Sequence, residues 1–173
     1  PKVLNLFGYT GVASLHAAMA GAEVTHVDSS KKAITQAFAN RDQAGFQDKP
    51  IRFITEDARS FVKREIRRGN LYDGVILDPP KYGRGVKGEV WRMEEDILPL
   101  LMDISSIMSP EADFAVLTSY AIRSSFLSLH GALDTAFADH VGEITSGELA
   151  AQETSSRGYA IGQAIFARWQ SNS

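Results

Sequence analysis

Apolar positions along the chain fall into two alternating kinds of run. Short uninterrupted ones at 3–6, 23–27, 51–55, 73–77 and 112–118 read as strands buried on both faces of a parallel sheet. Between them, residues 12–20, 30–44, 58–68, 94–108 and 124–138 show helical spacing. Ser29 is placed to cap the second helix and Gly45 to stop it, with Ile34, Ala37 and Phe38 as its buried stripe. Asp57 suits the N-cap of the third helix, which ends at Gly69. Phe61, Val62, Ile66, Leu98, Leu101, Ile104, Phe126, Leu129 and Phe137 recur at helical intervals and are expected in the core. Two last strands, near 141–150 and 159–169, are joined by a polar segment too short for a crossover helix, so they are expected to pair antiparallel at the sheet edge. The whole pattern predicts one α/β domain, a doubly wound, Rossmann-like sheet of seven strands. Residues 82–92, rich in glycine and charge, are expected to be a loop.

The first strand runs straight into Phe7-Gly8-Tyr9-Thr10-Gly11 and then a helix. Gly8 and Gly11 are expected to allow positive φ and the close approach of a ligand. Asp28 ends the next strand, at a spacing that fits an acid taking a pair of ribose hydroxyls. The turn lacks the GxGxxG pattern and offers few bare amides for phosphate, which favours a nucleoside without a pyrophosphate. The third strand delivers Glu56 and Asp57 at its carboxyl end, beside these two loops if the sheet is parallel. The fourth ends in Asp78-Pro79-Pro80-Lys81, where two prolines stop the ladder and fix the backbone, so that a side chain and a carbonyl can be held against a planar substrate. The plainer alternatives are turn-shaping glycines, Asp28 and Asp57 as helix caps, and a surface ion pair between Lys81 and Asp78.

Composition narrows the chemistry. The 173 residues suffice to bury well over half of the unfolded surface, so no disulfide or metal staple is needed. There are no cysteines, which excludes disulfides, thiolate metal sites and a cysteine nucleophile. His16, His26, His130 and His140 show neither metal-ligand spacing nor a paired nucleophile, and no metal is expected. The net charge of −3, from 18 basic and 21 acidic residues, gives no overall attraction for nucleic acid but leaves room for a local basic face. Two candidates exist: Arg59, Lys63, Arg64, Arg67 and Arg68 on the third helix, and Lys81, Arg84, Lys87 and Arg92 after the double proline. Tyr82 and Trp91 lie among the latter, suited either to stack on an extruded base or to pack as lid residues. No apolar run approaches the roughly 20 residues of a membrane span, and a cytoplasmic location is the expectation. The first strand follows Pro1 closely, so an upstream N-terminal domain is expected outside this catalytic domain of residues 1–173.

With these motifs assembled, the chain resembles class I S-adenosylmethionine-dependent methyltransferases. Within them it is similar to the bacterial large-subunit (23S) ribosomal RNA methyltransferases that carry an FxYTG turn and a DPPKF-like motif, from Leu4 to Lys81 and again at Phe166-Ala167-Arg168-Trp169. The resemblance implies strand order 3-2-1-4-5-7-6 with the last strand antiparallel, S-adenosyl-L-methionine as cofactor and RNA as partner. It implies a cofactor set of Asn5, Phe7, Gly8, Tyr9, Thr10, Gly11, Asp28, Ser29, Asp57 and Ala58. The turn would lie along the methionine part, Asp28 on the ribose and Asp57 on the adenine amino group. Asp78, Pro79, Pro80 and Lys81 would face the methyl group and the target base.

Methylation of a pyrimidine ring carbon usually needs a cysteine to add to the ring, whereas a base nitrogen attacks directly through its lone pair. Without cysteine, a base nitrogen is the expected acceptor. The competing readings are a methyltransferase of small molecules or proteins, a cofactor-binding scaffold without catalysis and, least supported by the turn, a nicotinamide-dependent dehydrogenase.

Overall fold

The computed structural model describes residues 1–120 and 124–172. Its elements in chain order are β1 (Lys2–Leu6), α1 (Val12–Met19), β2 (Glu23–Asp28), α2 (Lys31–Gln43), β3 (Ile51–Thr55), α3 (Ala58–Arg68) and β4 (Gly74–Leu77). They continue with β5 (Tyr82–Arg84), β6 (Val90–Arg92), α4 (Met93–Ser105), β7 (Phe114–Ser119), α5 (Phe126–Ala136), β8 (Gly142–Gln152) and β9 (Ala160–Ser171). Seven strands form one sheet in the order β3-β2-β1-β4-β7-β9-β8. β9 runs antiparallel to both neighbours, and the five strands from β3 to β7 are parallel. This is the expected seven-stranded order, and the antiparallel closing pair follows from a connection too short for a helix.

At both ends of α3, sequence and structure agree. Asp57 caps α3 by accepting from the Ser60 amide at 2.9 Å, and Gly69 closes it at φ 65°. At α2 the cap is Ser30 rather than Ser29: its hydroxyl accepts from the Ala33 amide at 3.2 Å. The shift has a local cause, because Asp28 Oδ1 takes the Ser30 amide at 2.7 Å and holds the entry one residue later.

The main core lies between the sheet and α3, α4 and α5, and includes Leu4, Leu6, Phe61, Leu77, Leu101 and Leu117. Three expected core residues lie at its margins: Phe38 is 41% exposed, Ile66 38% and Leu98 39%. On α3 the buried stripe is Ala58, Phe61, Val62 and Glu65, so the helix buries a glutamate where an isoleucine was expected. Glu65 is satisfied there by the Tyr72 hydroxyl at 2.9 Å and the Asn70 amide at 2.8 Å. Burial, reinforced by Glu65, raises the Tyr72 phenol well above its ordinary pKa. Residues 82–92 are not an open loop. They form an antiparallel hairpin of β5 and β6, with Gly83 opposite Trp91.

Candidate functional site

Parallel strands deliver their following loops to one edge of the sheet, and three such loops converge here. The turn after β1 is bound into the fold by its own backbone. The Gly8 amide donates to Val27 O at 3.1 Å, the Gly11 amide to Gly8 O at 3.0 Å, and the Tyr9 amide to Asp28 Oδ2 at 2.9 Å. Asn40 Nδ2 reaches Thr10 O at 2.9 Å. These amides are therefore unavailable to a phosphate.

Positive φ occurs at Phe7 (56°), Tyr9 (48°) and Gly11 (90°), but not at Gly8. Two non-glycine residues thus occupy the left-handed region, each at a cost of about 1–3 kcal/mol that the surrounding bonds must offset. Gly8 is required for a different reason. A Cβ there would lie 2.5 Å from His26 Nδ1, so the imidazole, not a ligand, fills the space that glycine leaves.

His26 belongs to a buried chain under the turn that the sequence did not reveal. Asn5 Nδ2 donates to Ser14 Oγ at 2.8 Å, and Ser14 Oγ lies 2.9 Å from His26 Nδ1. Asn5 is 2% exposed, and Ser14 and His26 are fully buried. Asn5 therefore supports the turn through a committed side chain. Burial lowers the His26 pKa, with the negative charge of Asp28 opposing the shift in part. The folded state keeps this imidazole neutral, so its contribution is intact above the unfolded value of about 6.5 and is lost as pH falls below it. Urea unfolding of the wild type should accordingly lose stability between about pH 7 and about pH 5 more steeply than that of a His26→Gln variant. Equal slopes would rule out the buried imidazole as the cause. Asp73, whose carboxyl is held below its ordinary range chiefly by the Ser109 hydroxyl, titrates below this window.

Two cavities flank the turn and share Phe7. One is lined by Asp28, Ser29, Glu56, Asp57, Ala58, Pro80, Gly83 and Trp91 among others, and the second by Asn5, Gly8, Tyr9, Thr10, Gly11, Ile76 and Asp78 among others. Every residue expected around a cofactor lines one or both. The first cavity carries the carboxylates of Asp28 and Asp57, which suit hydroxyl and amino donors, together with Glu56, paired with Arg64, and Arg84 at its edge. Its roof is Trp91, 3% exposed, whose ring lies 4.8 Å from that of Phe7 and whose Nε1 donates to Pro80 O at 2.7 Å.

At the end of β4 the carboxylate of Asp78 is exposed and accepts from Thr118 Oγ1 at 2.6 Å. Thr118 was not singled out from sequence; it reaches Asp78 because β7 pairs beside β4. Pro79 is buried and Pro80 half-buried. Lys81 is exposed, makes no ion pair with Asp78 and lines a separate cleft with Tyr82 and Arg92. The basic face expected on α3 is largely committed. Arg59 pairs with Asp96 at 2.6 Å and donates to Val90 O at 2.7 Å, Arg64 pairs with Glu56, and Arg68 lies 3.5 Å from Glu65. No helix among the described residues is long and apolar enough to cross a membrane.

Known proteins share this architecture. A solved S-adenosylmethionine-dependent methyltransferase from Agrobacterium tumefaciens superposes with a TM-score of 0.95 at 49% identity, over 98% of this chain and 55% of that one. The ribosomal RNA large subunit methyltransferase K/L of Shewanella baltica is 34% identical over 114 residues, 65% of this chain and 16% of that protein. A Synechocystis magnesium protoporphyrin IX methyltransferase with bound S-adenosylmethionine superposes at a TM-score of 0.62 and 19% identity, covering 98% of this chain and 69% of that one, a likeness of fold alone. The fold is the class I methyltransferase sheet anticipated from the motifs. This chain spans about half of the Agrobacterium protein and a sixth of the Shewanella one. A family model described as "Conserved hypothetical protein 95" matches residues 1–96, from the first strand through the turn, both acidic strand ends and the double proline, and the chain belongs to that family.

Proposed function

We propose that this chain is an S-adenosylmethionine-dependent methyltransferase domain that methylates a base nitrogen of RNA, most simply large-subunit ribosomal RNA, in the cytoplasm. The observation that carries the proposal is the meeting of the two cavities at Phe7, one bounded by Pro80 and the other by Asp78. A carboxylate-lined nucleoside pocket thereby abuts a space suited to a small zwitterion. The names of the Agrobacterium and Shewanella relatives favour the same cofactor and acceptor.

The residues present fit the cofactor. Asp28 retains lone pairs for ribose hydroxyls after accepting from Tyr9 and Ser30. Asp57 uses one oxygen on its helix cap, which leaves the other for the adenine amino group. Ser29 and Ala58 complete the nucleoside wall, and the turn 7–11 with Asn5 encloses the amino-acid part. When bound, S-adenosylmethionine supplies an electrophilic methyl carbon, so the protein's main task is alignment. Asp78, held by Thr118, orients the acceptor base and takes up the proton that the methylated nitrogen releases. Pro79 and Pro80 fix the backbone beneath it, and Lys81 approaches the acceptor strand from outside the pocket.

Asp28→Ala should weaken S-adenosylmethionine binding by about 10- to 150-fold, the value of one or more charge-assisted hydrogen bonds. Isothermal titration tests this, and an unchanged affinity in a folded variant would remove Asp28 from the ribose site. The function itself is tested with methyl-labelled cofactor and four acceptor pools from cells lacking the gene: protein-free ribosomal RNA, ribosomal subunits, soluble protein and metabolites. Label in the large-subunit RNA is expected. Label only in protein or metabolites would keep the cofactor site and overturn the acceptor.

A further inference from the structure

The hairpin over the nucleoside cavity has two chemically different faces. Side chains alternate along each strand, and the register pairs Tyr82 with Arg92, Gly83 with Trp91 and Arg84 with Val90. Gly83 and Trp91 face inward. Trp91 roofs the cavity, packs against Phe7 with the rings tilted by 53°, and holds the Pro80 carbonyl through its indole N–H. Tyr82, Val90 and Arg92 are exposed on the other face, and Arg84, also exposed, sits at the edge between the two faces and borders the cavity as well. The structure thus separates the two aromatics that sequence left equivalent: Trp91 is spent on packing, while Tyr82 is 51% exposed.

The outward face has the makings of a stacking platform. Tyr82 follows Lys81 directly, has Arg92 across the ribbon and has Arg84 two residues along the strand. Arg84 and Lys81 have no ion-pair partner among the described residues, and Arg92 has only an exposed pairing with Glu95 at 3.4 Å. Such a pair yields readily to a phosphate. An exposed aromatic ring on a ribbon that also carries two exposed arginines, beside the proposed transfer site, matches a nucleotide flanking a splayed-out target base. Of the acids nearby, Glu89 accepts the Lys87 amide at the hairpin tip, while Glu94 and Glu95 border the cleft of Lys81, Tyr82 and Arg92, with Glu95 paired to Arg92.

We propose that this hairpin couples acceptor to cofactor: its outer face binds single-stranded RNA through Tyr82 stacking and Arg84 and Arg92 phosphate contacts, while Trp91 links that face to the occupied nucleoside cavity. The proposal rests on the RNA methyltransferase reading. Because Trp91 touches both Phe7 and Pro80, cofactor that orders the cavity also orders the hairpin, and RNA binding tightens in return.

The test is fluorescence anisotropy of a single-stranded RNA oligonucleotide of mixed sequence, with and without S-adenosylhomocysteine, on the intact protein. S-adenosylhomocysteine should tighten RNA binding by about fivefold or more. Tyr82→Ala should weaken RNA binding by about 5- to 150-fold, the worth of one stacked base, with S-adenosylhomocysteine affinity unchanged. Arg84→Ala should lower the salt-dependence slope by about one. Trp91→Phe keeps a ring against Phe7 but lacks the N–H for Pro80, and should bind RNA equally with and without the cofactor product. RNA binding unaffected by Tyr82→Ala and Arg84→Ala would overturn the outer-face assignment while leaving the RNA methyltransferase reading intact. Coupling retained in Trp91→Phe would overturn the linkage. A wild type that binds S-adenosylhomocysteine but no RNA would overturn the RNA reading and the inference with it.

Discussion

Asp78→Ala should slow methyl transfer by about 10²- to 10⁴-fold, the usual worth of a positioned acid–base group, with little change in cofactor affinity. The carboxylate is exposed at the end of β4, so removing it leaves no buried partner charge. Its hydrogen bond from Thr118 fixes one oxygen and leaves the other for the acceptor. The loss should therefore fall on kcat rather than on folding or on the nucleoside cavity. Asp78→Asn separates two roles. An amide preserves orientation but takes up a proton poorly, so a variant that retains most of the rate would assign Asp78 to alignment alone, and a variant as slow as alanine would assign it to proton transfer. Single-turnover rates with labelled cofactor distinguish these outcomes.

Gly8→Ala should destabilise the fold by about 1–3 kcal/mol and abolish measurable cofactor binding, because one added methyl overpacks the site beneath the turn. The new Cβ would sit 2.5 Å from His26 Nδ1, and His26 is itself fixed by Ser14 within a fully buried setting. Either the ring moves and breaks the Asn5–Ser14–His26 chain, or the turn lifts and carries Phe7 and Tyr9 out of position. Chemical denaturation and calorimetric titration read the two effects separately. Normal stability and binding would mean that the imidazole yields freely and does not define the turn. A Gly8→Ala, His26→Ala double variant supplies the control: removing the ring should restore part of the cofactor affinity if the clash is the cause.

Features governed by local rules were legible in the sequence. Asp57 and Gly69 bound α3 as read, because cap chemistry depends on a few neighbouring residues. The parallel sheet followed from alternating strands and helices and the closing antiparallel pair from the short link between β8 and β9, whereas the strand order came from the family resemblance. Features governed by distant contacts were not legible. His26 looked like an incidental residue on an apolar strand, and nothing nearby in sequence pairs it with Gly8. Arg59 counted toward a free basic face because its partner, Asp96, lies on another helix. The β5–β6 hairpin has strands of three residues with no usable periodicity; packing of Trp91 on Phe7 and its bond to Pro80 hold it. Gly8 was expected to serve positive φ and a closely approaching ligand, whereas its φ is not positive and the close neighbour is the His26 ring, which sequence does not reveal.

The most direct test of RNA base methylation is made on ribosomes from cells lacking the intact gene. Large-subunit RNA from these cells is digested to nucleosides and compared by mass spectrometry with wild-type RNA. The expected result is the loss of one nitrogen-methylated nucleoside, restored by the gene but not by its Asp78→Ala form. An unchanged set of methylated nucleosides would contradict the assignment to large-subunit RNA, and the loss of a carbon-methylated one would contradict the nitrogen acceptor.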